Sequence, residues 1–399
     1  MQIGELRPLL PGIDAYAYFQ TSGFSPKPQP VIDEVIHWLR FQAQGPALPH
    51  IHTPIAAAVE TTRERLARAI GADTAEVTLA ENATVGINIV ANGIDWQPGD
   101  AVILSNHEHP GNRVVWYQIA RQSGVRLIFL DIDGDDDALL MQQFVHLLDR
   151  HTRLVSLSHV SRRSGRRLPV QAIVAAAQQH GVPVLLDGAQ AFGAIPVDVR
   201  AIGCEFYVLS GHKYILGPQA TGGLYVRRDR LDWLRPSWLG SRSQQSMDLQ
   251  GAMVLHDTAR RFEFGTRNMA DLAGLGRALA MWEAIGWEAV YAALAACTGA
   301  MRDALAAIPG LVIETPAAAI QRAGIVTFQI PGIPGRAIYE RLLTDFRILV
   351  SPFEAATPSV RVSVHVFNTA AEQERLVAAV RGMSEGGRVK SLPGAASQS

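Results

Sequence analysis

The chain has 399 residues, of which 48% are hydrophobic and 18% are charged, a composition typical of a globular protein with two lobes and not of a disordered chain. Lysine plus arginine (36) nearly equals aspartate plus glutamate (37), so charge gives no argument for nucleic acid or an anionic membrane as a partner and favours small molecules. The two cysteines exclude a disulfide framework and favour a reducing compartment.

The ends and the thiols of the chain predict an ordinary cytoplasmic protein. The first residues, MQIGELRPLLPG, lack the basic segment and apolar core of a signal peptide, and no apolar run reaches membrane-spanning length. Cys204 and Cys297 lie in I-G-C-E-F and A-A-C-T-G, away from clustered cations. We therefore expect inert thiols, a cytoplasmic location and no membrane partner.

The N-terminal part predicts one strand and two helices. A strand-like run, A-Y-A-Y-F-Q, ends at residue 20 and is followed by the turn-rich T-S-G-F-S-P-K-P. Helical patterns over 30–44 and 54–70 flank an expected loop, L-P-H-I-H-T-P. This loop holds an H-x-H pair, and a second such pair follows residue 106. Neither has a compact third ligand, so we expect no metal.

A short strand over 77–79 runs into A-E-N-A-T-V-G-I-N-I-V-A-N, the expected start of a helix. A strand that turns into a helix through small and hydroxyl residues presents free backbone N–H groups and a positive dipole end to an anion. This arrangement predicts a phosphate site at Ala83, Thr84 and the N–H groups that follow. An ordinary capped helix start, with Asn82 or Thr84 as the N-cap, is the alternative.

Beyond residue 100, strand-like and helical segments alternate, which is typical of a parallel sheet built from βαβ units. The acidic turn D-I-D-G-D-D-D does not match a calcium loop, because Gln142 stands where the bidentate glutamate belongs. The predicted strands are 101–104, 125–130 and 153–158, and the predicted helices are 111–123, 138–149 and 169–180.

The most informative motif lies at the ends of two apolar runs. The run V-P-V-L-L ends in Asp187, and the run F-Y-V-L ends in S-G-H-K, whose lysine is Lys213. Buried parallel strands have this pattern, and open α/β sheets bind ligands at the carboxyl ends of such strands. Desolvation lowers the pKa of a lysine at this position and makes its neutral amine more accessible.

A lysine and an acid at neighbouring strand ends are the partners that pyridoxal 5'-phosphate (PLP) needs, one for its aldehyde as a Schiff base and one for its pyridinium nitrogen. We predict these roles for Lys213 and Asp187. Gln190 is expected to reach the phenolic oxygen of the ring, and Ser210 and His212 are expected to hold the phosphate. A lone lysine would more often be a surface residue, but D-G-A-Q combined with S-G-H-K is far more specific.

The series D-G-A-Q, P-V-D-V, F-Y-V-L-S-G-H-K-Y, G-P and G-G-L-Y-V-R resembles the class V aminotransferase superfamily, from about residue 17 to about residue 382. Within it the chain is most similar to the cysteine desulfurase, cystine C–S lyase and isopenicillin N epimerase-like group. The resemblance implies an α/β fold, the PLP-dependent transferase fold type I. It also implies a homodimer with cofactor sites shared between the subunits.

The fold expected from this resemblance has a large domain, with a mostly parallel sheet flanked by helices, and a smaller α+β C-terminal domain. The expected ranges are 1–20 for an N-terminal segment joining the small domain, 21–270 for the large PLP-binding domain, 271–382 for a helical connection and the small domain, and 383–399 for a disordered tail. Helix is expected over 271–308 with a break at I-G-W, and over 335–344 and 369–382; strands are expected near 311–314, 324–330, 347–350 and 360–364.

The resemblance also assigns site residues. His109, in E-H-P-G, matches the aromatic or histidine that stacks on the PLP ring, where an imidazole can also move protons. Thr84 matches the phosphate-binding hydroxyl. Thr266, after Gly265, belongs to the loop that reaches the phosphate of the neighbouring subunit. Arg361 stands where relatives grip the substrate α-carboxylate, which a guanidinium can bind at two points.

Two departures from the family pattern affect the expected function. Desulfurases that keep sulfur as a persulfide carry a cysteine in the loop before Arg361, and here that loop, S-P-F-E-A-A-T-P-S, has none. Desulfurases also place an asparagine near Arg162, whereas the S-x-x-S-G spacing here resembles epimerase-like members. The arginines Arg162, Arg163 and Arg267 bind either a second carboxylate or only water and neighbouring acids.

We therefore predict a PLP-dependent lyase that cleaves the C–S bond of cysteine, cystine or a related L-amino acid through a Cα carbanion. Lys213 would move the Cα proton, and His109 is the second catalytic candidate. An amino-acid epimerase or a class V aminotransferase is the alternative, since both share the carbanion. A non-catalytic PLP-fold partner in a sulfur-trafficking assembly is a further one.

Overall fold

A computed structural model describes residues 1–353 and 358–386. Part of the loop before Arg361 and most of the predicted tail lie outside these residues.

The N-terminal segment carries a short strand, β1 (Ala17–Tyr18), and two helices, α1 (Gln29–Gln42) and α2 (Pro49–Ala69). The prediction of a loop before α2 is wrong, because L-P-H-I-H-T-P forms the first turns of this helix. Pro49 stands at the first helical position, where its missing N–H has no intrahelical partner to lose. The histidines His50 and His52 are consequently exposed residues of a helix.

A seven-stranded sheet forms the centre of the molecule. Its strands are β2 (Val77–Ala80), β3 (Ala101–Ser105), β4 (Arg126–Leu130), β5 (Thr152–Ser158), β6 (Val184–Asp187), β7 (Phe206–Ser210) and β8 (Gly222–Val226). Their order is β2-β8-β7-β6-β5-β3-β4. The pairs β7–β6, β6–β5, β5–β3 and β3–β4 are parallel, and β8 is antiparallel to both of its neighbours. The predicted mostly parallel sheet is confirmed.

Helices cover both faces of this sheet, which is why its central strands are buried. Leu185 and Val208 share a hydrophobic cluster with α3 and α4, whereas Leu186 and Tyr207 share another with α5, α6, α7 and α8. The alternation along each strand therefore assigns neighbouring side chains to opposite faces. The bounds are α3 (Ala83–Gly93), α4 (Val114–Ser123), α5 (Asp137–Leu147), α6 (Val170–Gln179), α7 (Val199–Ile202) and α8 (Met269–Ile285).

Between the sheet and α8 lies a hairpin that sequence patterns did not predict, β9 (Gln244–Met247) with β10 (Met253–Leu255). After α8, the expected break at I-G-W occurs at Gly286, whose φ of 96° favours glycine, and α9 (Trp287–Ala306) follows. No single helix in the described part of the chain is long and apolar enough to cross a membrane; α8 and α9 meet that criterion only as a pair, across a bend of 85°.

A second, antiparallel sheet occupies the C-terminal part, in the order β11-β12-β15-β14. It has its own hydrophobic core, which includes Phe19, Leu305, Phe328 and Val362. The domain ranges given above stay a prediction. The elements are β11 (Val312–Ile313), β12 (Ile325–Gln329), α10 (Gly335–Phe346), β13 (Ile348–Leu349), β14 (Ser351–Pro352), β15 (Val360–Ser363) and α11 (Ala370–Ser384).

The N-terminal segment joins this C-terminal part. Strand β1 pairs in parallel with β13, with Ala17 opposite Ile348. A further parallel bridge links Gln20 to Ser363 at the end of β15. The residues that follow β1 are thereby held between the C-terminal sheet and the carboxyl ends of the central strands.

Candidate active site

Lys213 and Asp187 lie at the carboxyl ends of adjacent parallel strands. Asp187 is the last residue of β6 and pairs with Val208 of β7, and the half-buried Lys213 lies in the turn after β7. Burial lowers the pKa of Lys213 to about 8; the charge of Asp187 opposes this shift, and those of Arg361 and Arg162 add to it. Burial also raises the pKa of Asp187, against the effect of Lys213. The site thus holds an amine that loses its proton more readily than an ordinary lysine.

The backbone after β6 fixes the carboxylate of Asp187. The amide of Ala189 donates to Asp187 Oδ1 at 2.9 Å, and the amide of Gly188 donates to the carbonyl of Val208 at 2.8 Å. A Cβ on Gly188 would lie 2.1 Å from Cε1 of Tyr207, so only glycine fits at this position. The D-G-A-Q motif therefore has a packing reason for its glycine as well as a chemical reason for its acid.

The start of α3 lies beside the lysine turn. Asn82 is the N-cap and accepts from the amide of Val85 at 3.1 Å, so the capped helix start considered above is present. The amide of Ala83 donates to Ser210 Oγ at 3.2 Å. Thr84 is exposed, and its hydroxyl lies against Gly111, where an added Cβ would be 2.3 Å away. Three of the residues predicted to bind phosphate are therefore neighbours.

His109 follows β3 and faces the same cluster of charges. Its Nδ1 accepts from the amide of Gly111 at 2.9 Å. Burial lowers the pKa of His109 to about 3, helped by the charges of Lys213, Arg162, Arg361 and Arg113. The imidazole is consequently neutral at physiological pH, with Nε2 carrying the hydrogen because Nδ1 accepts.

Sequence reasoning missed a role for Glu108, which holds the loop that carries His109. The carboxylate is fully buried and accepts from Ser105 Oγ at 2.5 Å, Asn112 Nδ2 at 2.7 Å, Ser158 N at 2.9 Å and Ser158 Oγ at 2.7 Å. Burial raises the pKa of Glu108, and these bonds oppose the shift. The polar residues three before and four after Glu108 were the available signal, but the bonds to β5 required the fold.

The turn after β1 reaches the site. Gln190 Nε2 donates to the carbonyl of Ser22 at 2.9 Å. The amide and hydroxyl of Ser25 donate to the carbonyl of His212 at 3.0 and 2.9 Å, and the rings of Phe24 and His212 are 5.7 Å apart. Burial and two lysine charges lower the pKa of His212 to about 4. Within the described ranges, Gln190 Oε1 and His212 Nδ1 are buried without hydrogen-bond partners.

Arg361 on β15 completes the cluster from the C-terminal sheet. Its side chain is buried, and Nη1 donates to the carbonyl of Arg162 at 2.9 Å. The guanidinium groups of Arg361 and Arg162 lie 5.5 and 5.4 Å from the centre of the Phe353 ring. Burial lowers the pKa of Arg361 to about 10, and the charge of Arg162 adds to this effect. No spacing rule pointed to Phe353, since it meets both arginines only in the folded chain.

Two further arginines considered above contact neighbouring acids. Arg163 Nε donates to Glu314 Oε2 at 3.1 Å, and its Nη1 lies 3.2 Å from His107 Nε2. Arg267 lies 3.9 Å from Glu81. In residues 1–353 and 358–386, no group of three or more His, Cys, Asp or Glu side chains is arranged to hold a metal ion.

Thr266 is exposed, and the residues before it contact the segment that precedes the β9–β10 hairpin, where Ser243 Oγ donates to the carbonyl of Glu263 at 3.0 Å. The rings of Trp238 and Phe264 pack edge to face at 5.0 Å just before it. The hairpin exposes Met247, at 72%, and Val254, at 54%. In the described residues Thr266 makes no hydrogen bond with Ser210, which accepts from the amide of Ala83.

The comparisons with known proteins identify the family and the fold of this chain. The chain matches the class-V aminotransferase family over residues 17–376. A cysteine desulfurase of Serratia proteamaculans (strain 568) is 35% identical over 385 residues, 92% of each chain. The apo cysteine desulfurase of Thermococcus onnurineus NA1 superposes with a TM-score of 0.87 at 26% identity, over 97% of this chain and 99% of that one.

Two structures of a cystine C–S lyase, C-DES, are also similar. Its complex with the reaction product cysteine persulfide has a TM-score of 0.87 at 28% identity, over 93% of this chain and 99% of that one. A lysine-to-alanine variant with glycine covalently linked to the PLP cofactor has a TM-score of 0.86 at 28% identity, over 94% and 98%. Both the predicted resemblance and the predicted fold are confirmed. The chain belongs to the class-V aminotransferase family and has the type I fold of PLP-dependent enzymes.

Proposed function

We propose that this protein is a PLP-dependent C–S lyase acting on cysteine, cystine or a related S-substituted L-amino acid. The observation that carries the proposal is the half-buried Lys213, with a pKa lowered to about 8, opposite the buried carboxylate of Asp187. The Serratia relative is named a cysteine desulfurase, and C-DES is a cystine C–S lyase. Both names describe chemistry at the sulfur-bearing carbon of cysteine or cystine.

The polar atoms of the site fit PLP. Asp187 is buried and would pair with the ring nitrogen. Gln190 Nε2 donates one hydrogen to the carbonyl of Ser22, and its second hydrogen would be donated to the phenolic oxygen. His109 would lie over the ring as a neutral imidazole. The phosphate would be held by the start of α3 and the lysine turn, through Ala83, Thr84, Ser210 and His212.

The proton chemistry falls to Lys213. PLP, when bound, supplies an electron sink for the charge left at the substrate Cα. The neutral amine of Lys213 takes the Cα proton, which its lowered pKa favours. Lys213 can then give that proton to the sulfur group as the bond between Cβ and sulfur breaks. The neutral His109 offers a second group for moving a proton near the leaving sulfur. Water would hydrolyse the released aminoacrylate, so the products would be pyruvate, ammonia and a thiol or persulfide.

Arg361 would orient the substrate through its α-carboxylate. Its guanidinium donates to the carbonyl of Arg162 and packs against the ring of Phe353. Its Nε is buried without a partner in the described residues, so donors remain for a carboxylate. The charge of Arg361 lowers the pKa of Lys213, so the two side chains lie near each other. This supports a substrate bound between them.

The thiols of this chain favour a lyase over an enzyme that stores sulfur as its own persulfide. Cys204 is buried, and burial raises its pKa well above the ordinary range. Cys297 lies on α9 under the C-terminal sheet, and burial raises its pKa as well. The loop before Arg361 contains no cysteine. Sulfur would therefore leave on the product, as the cysteine persulfide of C-DES does.

A homodimer would complete the site. The apolar hairpin face described above supports contact with a second copy, since Met247, Leu249 and Val254 are exposed there at 72%, 101% and 54%. The exposed Thr266 would then reach the phosphate site of the other subunit. The cytoplasmic location stays a prediction.

The test is to incubate purified protein with PLP and L-cysteine, L-cystine or S-alkyl-cysteines, and to assay pyruvate and sulfur products. Pyruvate release that Lys213→Ala abolishes is expected. Racemised substrate without pyruvate would instead select an epimerase, and amine transfer that depends on a keto acid would select an aminotransferase. Full activity in Lys213→Ala would contradict every one of these reactions.

A further inference from the structure

A cavity of about 530 Å³ lies on the opposite face of the central sheet from Asp187. Asp187 follows Leu185 in the alternation of β6 and so shares the face covered by α3. The cavity is lined instead by the first turn of α6, by α7 and by Gln321. None of these elements belongs to the site described above. The cavity is therefore separate from the cofactor site, and the central sheet lies between the two.

His159 brings an unpaired hydrogen-bond donor to this cavity. It lines the space, is 1% exposed, and its Nδ1 lies 3.0 Å from the hydroxyl of Tyr207. If Nδ1 donated to that hydroxyl, the hydroxyl hydrogen and Nε2 would both lack partners in the described residues, so we assign Tyr207 as the donor and Nδ1 as the acceptor. The hydrogen of the ring is then on Nε2. Nε2 is buried and has no acceptor in the part of the chain that the structure describes.

The charge of His159 agrees with this assignment. Burial, with a smaller effect from Arg167, lowers its pKa to about 3, so the ring is neutral at physiological pH. A neutral imidazole has one donor and one acceptor, and the acceptor is already used by Tyr207. What the buried Nε2–H lacks is an acceptor oxygen.

Two further groups give the cavity a positive character. Arg167 lines it half-buried, and its side chain has no acid at ion-pair distance among residues 1–353 and 358–386. The first turn of α6 lines it as well, and the N-cap, Pro169, offers that turn no side-chain acceptor. The positive end of a helix, a guanidinium and an imidazole N–H therefore meet at one space.

The acids that border the cavity already have partners. Asp137 pairs with Arg166 at 2.7 Å. Asp198 accepts from the amides of Arg200 and Ala201 at 2.9 Å each, as the N-cap of α7. Neither carboxylate is therefore directed to Arg167 or His159.

We propose that this cavity is a binding site for a small organic carboxylate. The carboxylate would accept from His159 Nε2, Arg167 and the first turn of α6. Its apolar body would contact Leu168, Val170 and Ile202, which line the same space. An adjoining cavity of about 470 Å³ shares Arg167, Pro196 and Ile320 with it and leaves room for a branched chain.

The position of this site connects it to the proposed active site. The amide of His159 donates to the carbonyl of Asp187 at 2.9 Å, and the ring bonded to His159 is the one that Gly188 packs against. His159 would thus contact both the bound carboxylate and the backbone of Asp187, the acid proposed for the cofactor nitrogen. The binding itself does not depend on the reaction that the active site performs.

The test is calorimetric titration of the PLP-loaded enzyme with 4-methylpentanoate, and with 4-methylpentanamide and inorganic phosphate as comparison ligands. The acid is expected to bind, and the neutral amide is expected not to, because it lacks the charge. Arg167→Gln should weaken binding of the acid by about tenfold or more. Ala172→Phe, an exposed position in the first turn of α6 that lines the cavity, should block it without a change in charge.

Two controls separate this site from others. Arg121→Gln changes an exposed arginine of α4 outside both cavities and should leave binding intact. Arg361→Gln should also leave it intact. Loss of binding in Arg361→Gln with retention in Arg167→Gln would assign the acid to the active site and overturn the proposal. Phosphate binding as tightly as the acid would overturn the assignment to an organic carboxylate.

Discussion

The lowered pKa of Lys213 should control how fast the apo protein takes up PLP. Only the neutral amine reacts with the aldehyde, and burial brings the pKa from 10.5 to about 8. At pH 7, roughly a tenth of such side chains are neutral, against about 3 in 10,000 for a lysine of ordinary pKa. The reactive fraction is therefore about 300-fold larger than it would be on the protein surface.

The assay is stopped-flow absorbance of apo protein mixed with PLP across a pH series. The same series with a free lysine derivative supplies the pH dependence of PLP itself, and the ratio of the two rates isolates Lys213. This ratio should stay constant below a midpoint near pH 8 and fall above it, because Lys213 is then mostly neutral while the free amine is still losing its proton. A ratio that stays constant up to a pH of about 10 would refute the reasoning, because the lysine would then titrate like the free amine.

Charge variants sharpen the test. Arg361→Gln should move the midpoint upward, since the charge of Arg361 disfavours the ammonium form of Lys213. Asp187→Asn should move it downward, since Asp187 favours that form. Arg113→Gln is the matched control. The charge of Arg113 lowers the pKa of His109 but is not among the charges that shift the pKa of Lys213. A shift of the same sign in all three variants would contradict the electrostatic account.

Three further variants test other parts of the site. Arg361→Lys should lower kcat/KM for the substrate by about 10- to 100-fold, because an ammonium cannot bind a carboxylate at two points; an unchanged value in steady-state assays would argue against carboxylate binding there. Gly188→Ala should lower the free energy of unfolding in urea by about 1–3 kcal/mol or more through its clash with Tyr207, whereas Gly4→Ala, with open space around it, should not. Glu108→Ala should lower the free energy of unfolding by at least about 3 kcal/mol in the same measurement, since it leaves several buried donors unpaired. Wild-type stability would contradict the role of Glu108 in holding the loop of His109.

The sequence predicted best the elements whose own pattern determines them. The apolar runs before Asp187 and Lys213 are buried parallel strands, and burial on both faces leaves that pattern in the residues themselves. The break at Gly286 was predictable because its backbone conformation favours glycine. The proline-rich start of α2 was not, since proline is typical both of loops and of the first turn of a helix.

The parts that sequence reasoning missed depend on distant contacts. The hairpin strand β9 is polar and exposed, so it has no apolar alternation to detect. Phe353 matters because it lies under Arg361 and Arg162, which come from different parts of the chain. The role of Glu108 depends on the pairing of β5 with β3, because Ser158 at the end of β5 donates to the Glu108 carboxylate.

The pairing of β1 with β13 affects how the protein is made. Ala17 leaves the ribosome early, but its partner Ile348 is synthesised near the other end of the chain. The turn that carries Ser22 and Ser25 to His212 and Gln190 cannot be fixed until that partner exists. Contacts so distant in sequence form late because the loop between them must first close. A nascent or C-terminally truncated chain would therefore expose Ala17 and Phe19, which are fully buried in the folded protein, and the central sheet would fold before the active site is complete.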